Sequence, residues 1–491
     1  MFEWLKNLTT ASKPHQPAAR ISDARVVRGR YDAAVTTVDN RRHWANADGL
    51  SANAAMTPQV RRVLRNRARY EVANNSYARG IVLTLANDMV GTGPGLQMLL
   101  DDADANAVIE KAFAEWAEAV GLAQKLRTMR MARAESGEVF ALLINNPAID
   151  HPVQLDLRLI EAERIASPQF RLQQAQAVDG IVFDAFGNPV EYHLLRSHPG
   201  DTSVWSPGRE FDRVPAASMI HYFRPDRPEQ ARGVPDITPA LPLFAQLRRY
   251  TLAVIAAAET AADFAAVLYT DAPANGEAES VEPMDLVELE RRMATVLPGG
   301  WKLGQVAAEQ PATTYGEFKR EILNEIARCL NMPFNVAVGN SSGYNYASGR
   351  LDHQTYFKSI RIEQSHLESV VLDRVLAAWL AEAVLIEGLL PQSLRAIGAR
   401  FPHQWFWDGH EHVDPAKEAS AQAQRLSSHT STLAAEYARQ GKDWETELRQ
   451  RAREVALMNE LGLAPGNAAQ TQPSKESETD DDEVEPSRSA A

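Results

Sequence analysis

Val338-Gly339-Asn340-Ser341-Ser342-Gly343-Tyr344-Asn345-Tyr346-Ala347-Ser348-Gly349-Arg350 is the stretch whose reading decides how the chain is organised. A break at Asn331 and Pro333 precedes it. About forty residues of helical pattern follow, roughly 60 Å at 1.5 Å per residue, until Gly388 and Pro391 stop the run. Two incompatible readings fit these residues. Gly339-Asn340-Ser341-Ser342-Gly343 matches the G-x-S-x-G of a hydrolase nucleophile elbow, in which Ser341 would stand on a sharp strand-to-helix turn. Residues 334–338 could be that strand, and Asp373, Asp408, His410 and His412 follow in the order serine, acid, histidine. Against it, Gly343-Tyr344-Asn345-Tyr346 is poor helix material. The alternative is a polar loop tethered between two helices, in which Asn340, Ser341, Ser342, Tyr344, Asn345 and Tyr346 offer hydrogen bonds without strong charge, and this reading is preferred.

Working outward, the segment before the break carries Thr314 and Glu317 in capping-box spacing, with Phe318, Ile322, Ile326 and Cys329 on one apolar stripe. An Ala-rich helical segment, 243–268, precedes it, separated by a compact insertion at 271–311 with a short helix near 284–297. So many small residues let neighbouring helices approach closely. Glu259 and Asp263 lie one turn apart and repel by a few tenths of a kcal/mol, which is tolerable where water or a counter-charge reaches that face. That face is either an ordinary solvated one or a channel lining.

Towards the amino end the pattern is mixed. Residues 1–56 have few periodic apolar positions and read as a flexible arm. Thr57-Pro58 caps a helical pattern that runs on to Met89 and the breaker Gly91-Thr92-Gly93-Pro94-Gly95, and a second helix spans 103–120. From Gly137 to Arg224 short apolar runs at 139–144, 155–160, 181–183 and 192–195 read as strands, with a hairpin turn at Asp184-Ala185-Phe186-Gly187-Asn188-Pro189. Helical crossovers are absent between them, which argues against a parallel, doubly wound sheet. Beyond Trp407, helical segments near 416–426, 431–440 and 444–461 precede an acidic tail.

Composition narrows the function. With 491 residues, 45% hydrophobic and 23% charged, the chain is globular and large enough for two to four domains. A net charge of -13 argues against wholesale gripping of nucleic acid, which needs Lys and Arg to neutralise phosphates. Arg61, Arg62, Arg65, Arg67 and Arg69 form a local basic cluster, read as a solvated face, as partners for a neighbouring acidic subunit, or as a contact patch for an acidic partner or DNA. One cysteine, Cys329, permits no internal disulfide and no cysteine metal cluster, favours a reducing cytoplasm, and is read as a packed thiol. His410, Glu411, His412 and Asp414 could ligate a metal but alternate along a loop before a capped helix, so no metal and no cofactor is expected. The apolar run 252–268 is too short and too charged to span a bilayer.

Several segments together resemble portal proteins of lambda-type tailed bacteriophages, over about 39–390. They are residues 69–95 with Asn74-Asn75-Ser76-Tyr77-Ala78 and Val90-Gly91-Thr92-Gly93, Ser136-Gly137-Glu138-Val139-Phe140, Ile160-Glu161-Ala162-Glu163-Arg164-Ile165, and 180–192. Ile220-His221-Tyr222-Phe223 through Pro228, Gln230 and Arg232-Gly233-Val234-Pro235 is similar to the family's His, Arg-Pro, Gln, Arg-Gly-Val-Pro stretch. Asn345-Tyr346-Ala347-Ser348-Gly349-Arg350 resembles its Asn-Tyr-Ser-Ser-x-Arg run, with Ala347 departing from a Ser of that run.

The resemblance implies a mainly helical α+β portal fold. It divides the chain into an arm (1–56), a wing (57–242), two stem helices (243–270 and 313–332) around a clip (271–312), a tunnel loop (333–350), a long helix with the rest of the wing (351–411), crown helices (412–462) and a tail (463–491). The six loop residues named above would face a channel. The implied assembly is a ring, usually of twelve copies, at one vertex of the virion capsid, built in the host cytoplasm. It would pass double-stranded DNA transiently and without sequence preference, and meet the terminase large subunit, major capsid and scaffold proteins and a head-completion adaptor, with no membrane and no enzymatic activity of its own. A serine hydrolase using Ser341 and an assembly adaptor without a channel are the competing expectations.

Overall fold

The structure, a computed structural model, describes residues 34–167, 177–201, 210–263, 267–270, 301–304, 314–343, 345–391, 401–409, 415–461 and 463. Residues 34–51 belong to a separate unit, in which Thr37 and Asn40 cap one another by reciprocal backbone-to-side-chain bonds of 2.8 and 3.2 Å. Everything that follows concerns the second unit, from Ala52 onwards.

Helices dominate its first part: α1 (Ala52–Ala55), α2 (Pro58–Asn74) and α3 (Ser76–Val90), then β1 (Gly95–Met98), α4 (Ala103–Ala119) and α5 (Leu122–Ser136). Thr57 caps α2 as expected. The continuous helix read from Thr57 to Met89 is instead two, because the Asn75 side chain accepts from the amides of Tyr77 and Ala78 and starts a new helix. Helix α5 and strand β1 differ from the sequence expectation, since α5 carries five charged residues among its apolar ones and shows only a weak helical stripe.

The strand-rich region holds β2 (Glu138–Asn145), β3 (Leu155–Ile160), β4 (Ala177–Val178), β5 (Ile181–Phe183), β6 (Pro189–Leu195), β7 (Phe211–Pro215) and β8 (Met219–Phe223). They form sheets of order β3-β2-β8 and β4-β5-β6-β7, with antiparallel pairing throughout, in line with the missing crossovers. Strand β2 reads as an unbroken apolar run because both its faces are covered: Val139 and Ala141 join the main core, while Phe140 joins a smaller one with Ile160, Ile181, Tyr192 and Met219.

Then come α6 (Leu241–Asp263), β9 (Val267–Thr270), β10 (Trp301–Gly304), α7 (Tyr315–Cys329), α8 (Phe334–Val338), α9 (Tyr346–Leu367) and α10 (Asp373–Ala383), with one π-helical turn, Glu368–Leu372, between the last two. Helix α6 is described as far as Asp263, and Val267 and Leu268, expected within that helix, belong instead to β9, which pairs antiparallel with β10. The insertion helix near 284–297 lies outside the described residues. Helices α6 and α7 pack together through Tyr250, Tyr315 and Phe318, with Thr251 and Tyr315 hydroxyls 3.2 Å apart. The capping box at Thr314 does not form, as Thr314 has helical backbone angles and makes no side-chain cap.

Strand β11 (His403–Phe406) pairs with β1, and α11 (Pro415–Ser427), α12 (Leu433–Arg439) and α13 (Trp444–Glu460) close the chain's described part. Phe113, Trp116, Trp379 and Trp405 form an aromatic cluster that fastens α10 and β11 to α4. The fold is mainly helical α+β, as expected.

Candidate functional site

The loop that opened the reading is short and sharply bounded. Helix α7 ends where Asn331 turns to a φ of 53° and the Met332 amide bonds back to Ala327, burying Met332. Pro333 starts α8, and Gly339, at φ 67°, ends it. The Asn340 amide returns to the Asn335 carbonyl at 3.1 Å, and the Asn340 side chain accepts from the Ser342 amide at 2.9 Å. Asn340, Ser341, Ser342 and Asn345 are exposed. Tyr344 lies outside the described residues, and Tyr346 is described only as the first residue of α9.

The support beneath the loop is firm. Helix α9 is tied to α3 by Tyr356, whose hydroxyl donates to Asp88 at 2.8 Å, and by Gln364, which donates to the Met89 carbonyl at 3.0 Å. It is tied to α5 by Arg133, which grips the Glu363 carboxylate with two bonds of 2.5 and 2.9 Å. Burial opposes the charge on Arg133, but Tyr222, Asp236 and Glu363 raise its pKa further still. The opposite face of α9 presents Gln354, Lys358, Arg361, Ile362 and Ser365 along an open groove.

The elbow reading fails on geometry. Residues 334–338 are a helix, not a strand, and Gly339 sits at that helix's end. Asn335, between Ser341 and His353, directs its amide nitrogen to the Ser341 hydroxyl (3.5 Å) and to His353 Nε2 (3.0 Å). Asp373 is bonded to Trp405 and His403, and Asp408 to Thr92. His410 and His412, with Glu411 and Asp414, lie outside the described residues.

The arginine cluster divides by helical spacing. Arg61, Arg65 and Arg69, four residues apart, share one face of α2 and point inward, while Arg62 and Arg67 are exposed. Arg61 pairs with Asp179, Arg65 with Glu138 and Glu163, and Arg69 with Glu163 and the Ser136 hydroxyl. Three of the five are thus internal ties, and only Arg62 and Arg67 of the cluster face solvent. Glu259 is exposed on α6, and the side chain of Asp263 lies outside the described residues.

Those arginines converge on a hub the sequence reading passed over. Glu138, at the start of β2, is buried and accepts from Arg232 (2.7 to 3.0 Å), the Gly233 amide (3.0 Å) and His221 Nε2 (2.9 Å). Burial would raise its pKa, yet Arg232 and then His221 hold it well below the usual carboxylate range. Burial pushes the pKa of His221 down, against the Glu138 carboxylate, which raises it. Arg232 spends its other donors on the carbonyls of Ala162, Ile165 and Asp179. Alongside, Gly137 (φ 88°) and Gly233 touch backbone to backbone: a Cβ on Gly233 would stand 2.1 Å from the Gly137 carbonyl oxygen. Ser136-Gly137-Glu138 and His221 with Arg232-Gly233 are therefore two halves of one internal contact. The i, i+4, i+8 spacing of the arginines was the available signal.

Among the described residues Glu161, Glu163 and His198 come within 4.8 Å, but Arg65 and Arg69 already neutralise Glu163, an arrangement that disfavours a cation. Cys329 is half-buried, its thiol 3.4 Å from the Asp236 carbonyl and its pKa pushed up by burial.

Comparison with known proteins agrees with the motifs. Residues 39–364 match the family described as phage portal protein, lambda family. The probable portal protein of Halomonas phage phiHAP-1 is 24% identical over 478 residues, covering 92% of this chain and 90% of that relative. Among solved structures, the neck of an empty gene transfer agent particle computed with C6 symmetry is 15% identical, covers 74% of this chain and 87% of its own, and has a TM-score of 0.46. The neck of the native particle computed with C12 symmetry gives 14%, 80%, 95% and 0.45. With two thirds of its length matched by the family, this chain is a member of the lambda family of phage portal proteins.

Proposed function

We propose that copies of this chain close into a ring, of twelve by the family's habit, at one capsid vertex of the virion, and that double-stranded DNA passes through the ring during packaging and ejection. The observation that carries this reading is the exposure of residues 339–343 and 345 at the head of a helix anchored on its other face, within a chain of the portal family. Asn340, Ser341, Ser342, Tyr344, Asn345 and Tyr346 then face the channel as neutral hydrogen-bonding groups. A loop of that chemistry touches phosphate without holding it, and a net charge of -13 keeps the body from binding DNA as it slides.

In this reading α6 and α7 are the stem, with Glu259 and Asp263 as candidate channel-facing acids. The segment between β9 and β10 is the clip that meets the terminase large subunit, and α11 to α13 form the crown. Capsid and scaffold proteins and a head-completion adaptor are the remaining partners, and assembly takes place in the host cytoplasm. Its role is structural rather than enzymatic. No helix among the described residues is long and apolar enough to cross a membrane. Leu252 and Ile255 on α6 and Phe318 on α7 are exposed apolar side chains suited to contacts between copies.

Electron microscopy with mass measurement of the purified chain tests this. Rings with a central hole and a mass of about 650 kDa for twelve copies are expected. Compact monomers or dimers under conditions that favour association would refute it.

A further inference from the structure

The inner face of α9 is spent on α3 and α5, through Tyr356, Gln364 and Glu363. Its outer face is basic. Arg350, Lys358 and Arg361 are exposed there and share one stripe, because separations of eight and eleven residues are close to two and three helical turns. From Arg350 to Ser365 the stripe is about 22 Å long at 1.5 Å per residue. The two acids of the helix, Asp352 and Glu363, fall on its other side. None of the three cations makes an ion pair among the described residues, and no acid lines the groove beside Lys358 and Arg361. Leu351 and Ile362 stand next to them, 65% and 63% exposed. A chain of net charge -13 thus leaves three neighbouring cations unanswered on one helix face, beside two apolar side chains in water.

The matching charge lies elsewhere in the same sequence. Residues 476–485 read Glu-Ser-Glu-Thr-Asp-Asp-Asp-Glu-Val-Glu, with seven acids and no base, the densest acidic run in the chain. They lie outside the described residues. The chain from Leu463, the last described residue, to Glu476 can extend to roughly 45 Å, and ten extended residues cover roughly 30 Å, enough to run the length of the stripe.

We propose that residues 476–485 lie along this face of α9, in the same copy or a neighbouring one, with their carboxylates facing Arg350, Lys358 and Arg361 and Val484 beside the exposed apolar pair. The contact does not depend on the ring reading. Tethering keeps the segment at a high effective concentration, so several exposed ion pairs hold it where one would not. Duplex DNA is the other polyanion this chain is read as meeting, but a phosphate backbone offers nothing to Leu351 and Ile362. An acidic peptide with a valine among its carboxylates answers both the charge and the apolar flank.

The test uses the full chain in a Cys329→Ser background. Ile362→Cys with Val484→Cys leaves every charge in place and should form a disulfide on mild oxidation at low salt, within a chain or between chains. Adding Lys358→Glu and Arg361→Glu should slow that cross-link roughly tenfold or more, and so should about 1 M salt, where the screening length falls to about 3 Å. Both cations are exposed, so the melting temperature should stay where it was. Lys358→Gln with Arg361→Gln replaces the reversal if it impairs folding, with a smaller slowing expected. Absence of the disulfide, or a rate indifferent to these substitutions and to salt, would overturn the contact. An indifferent rate together with lost binding of a short DNA duplex in the charge-reversed variant would overturn it in favour of nucleic acid on the same stripe.

Discussion

The Glu138 hub and the 339–345 loop are built from similarly polar residues and treat them in opposite ways. At the hub, Glu138, Arg232, His221 and Arg65 are taken out of water and each charge is met by another charge or by backbone groups. At the loop, Asn340, Ser341 and Ser342 stay in water, held only by bonds among themselves and to the neighbouring Asn335. Desolvation makes the difference. A buried charge must be fully compensated or the fold fails, whereas an exposed amide or hydroxyl is satisfied by solvent and is open to another partner. Motifs that identify the family thus fall partly on residues that hold β2 to its neighbours from inside rather than on the exposed loop.

The sharpest way to break the comparison is Glu138→Ala. It strands Arg232 and leaves the Gly233 amide unpaired, and should cost about 3–5 kcal/mol, read as a loss of denaturant midpoint or of soluble protein. Adding Arg232→Leu to Glu138→Leu should recover part of that loss, since neither charge of the pair remains. A smaller but still severe effect is expected for Gly233→Ala, whose Cβ collides with the Gly137 carbonyl: about 2 kcal/mol or more by thermal unfolding.

A third experiment asks whether buried charge is tolerated where compensation is incomplete. Glu110 accepts from the Met98 amide at 2.7 Å, but burial first, then Asp443 and Glu445, push its pKa up to about 7. The folded state therefore prefers the protonated form. Its contribution to stability is present below the unfolded value near 4.5 and is lost as pH rises through about 7. Glu110→Gln keeps the acceptor, and should flatten the pH dependence of melting over that window and stabilise the protein at pH 8. An unchanged slope would show that the repulsion is screened. The smallest effect on stability belongs to the loop. Asn340→Ala and Ser341→Ala should each shift unfolding by no more than about 0.5 kcal/mol. A larger shift would show that the loop is part of the folding core. On the reading proposed for the channel, the same variants should alter DNA packaging measured in an infection or in vitro assay.

Much of the architecture was legible in residues. Thr57-Pro58 capped its helix, the short apolar runs after Gly137 were strands, Asp184 to Pro189 was a hairpin turn, and the three final helices broke at Ser428 and Gly441, because caps, turn residues and period-two alternation act over a few positions. The site was less legible. Residues 334–338 look strand-like by composition, yet pack as a helical turn against α3 and α7. Helix α9 with its extension showed a helical pattern, but its anchored and exposed faces are set by Asp88, Met89 and Arg133, far away along the chain.

By itself the sequence determined the local elements, the antiparallel character of the sheets, the polar loop and, through the order of its motifs, the family. Only the tertiary structure decided which charges are solvent-facing and which are structural. Arg61 and Arg62 are adjacent and identical in type, but one is buried against Asp179, its pKa pushed down to about 10 by burial and by Arg232, and the other is in water. The cost of burying a charge depends on partners brought from more than a hundred residues away, and no local pattern encodes them.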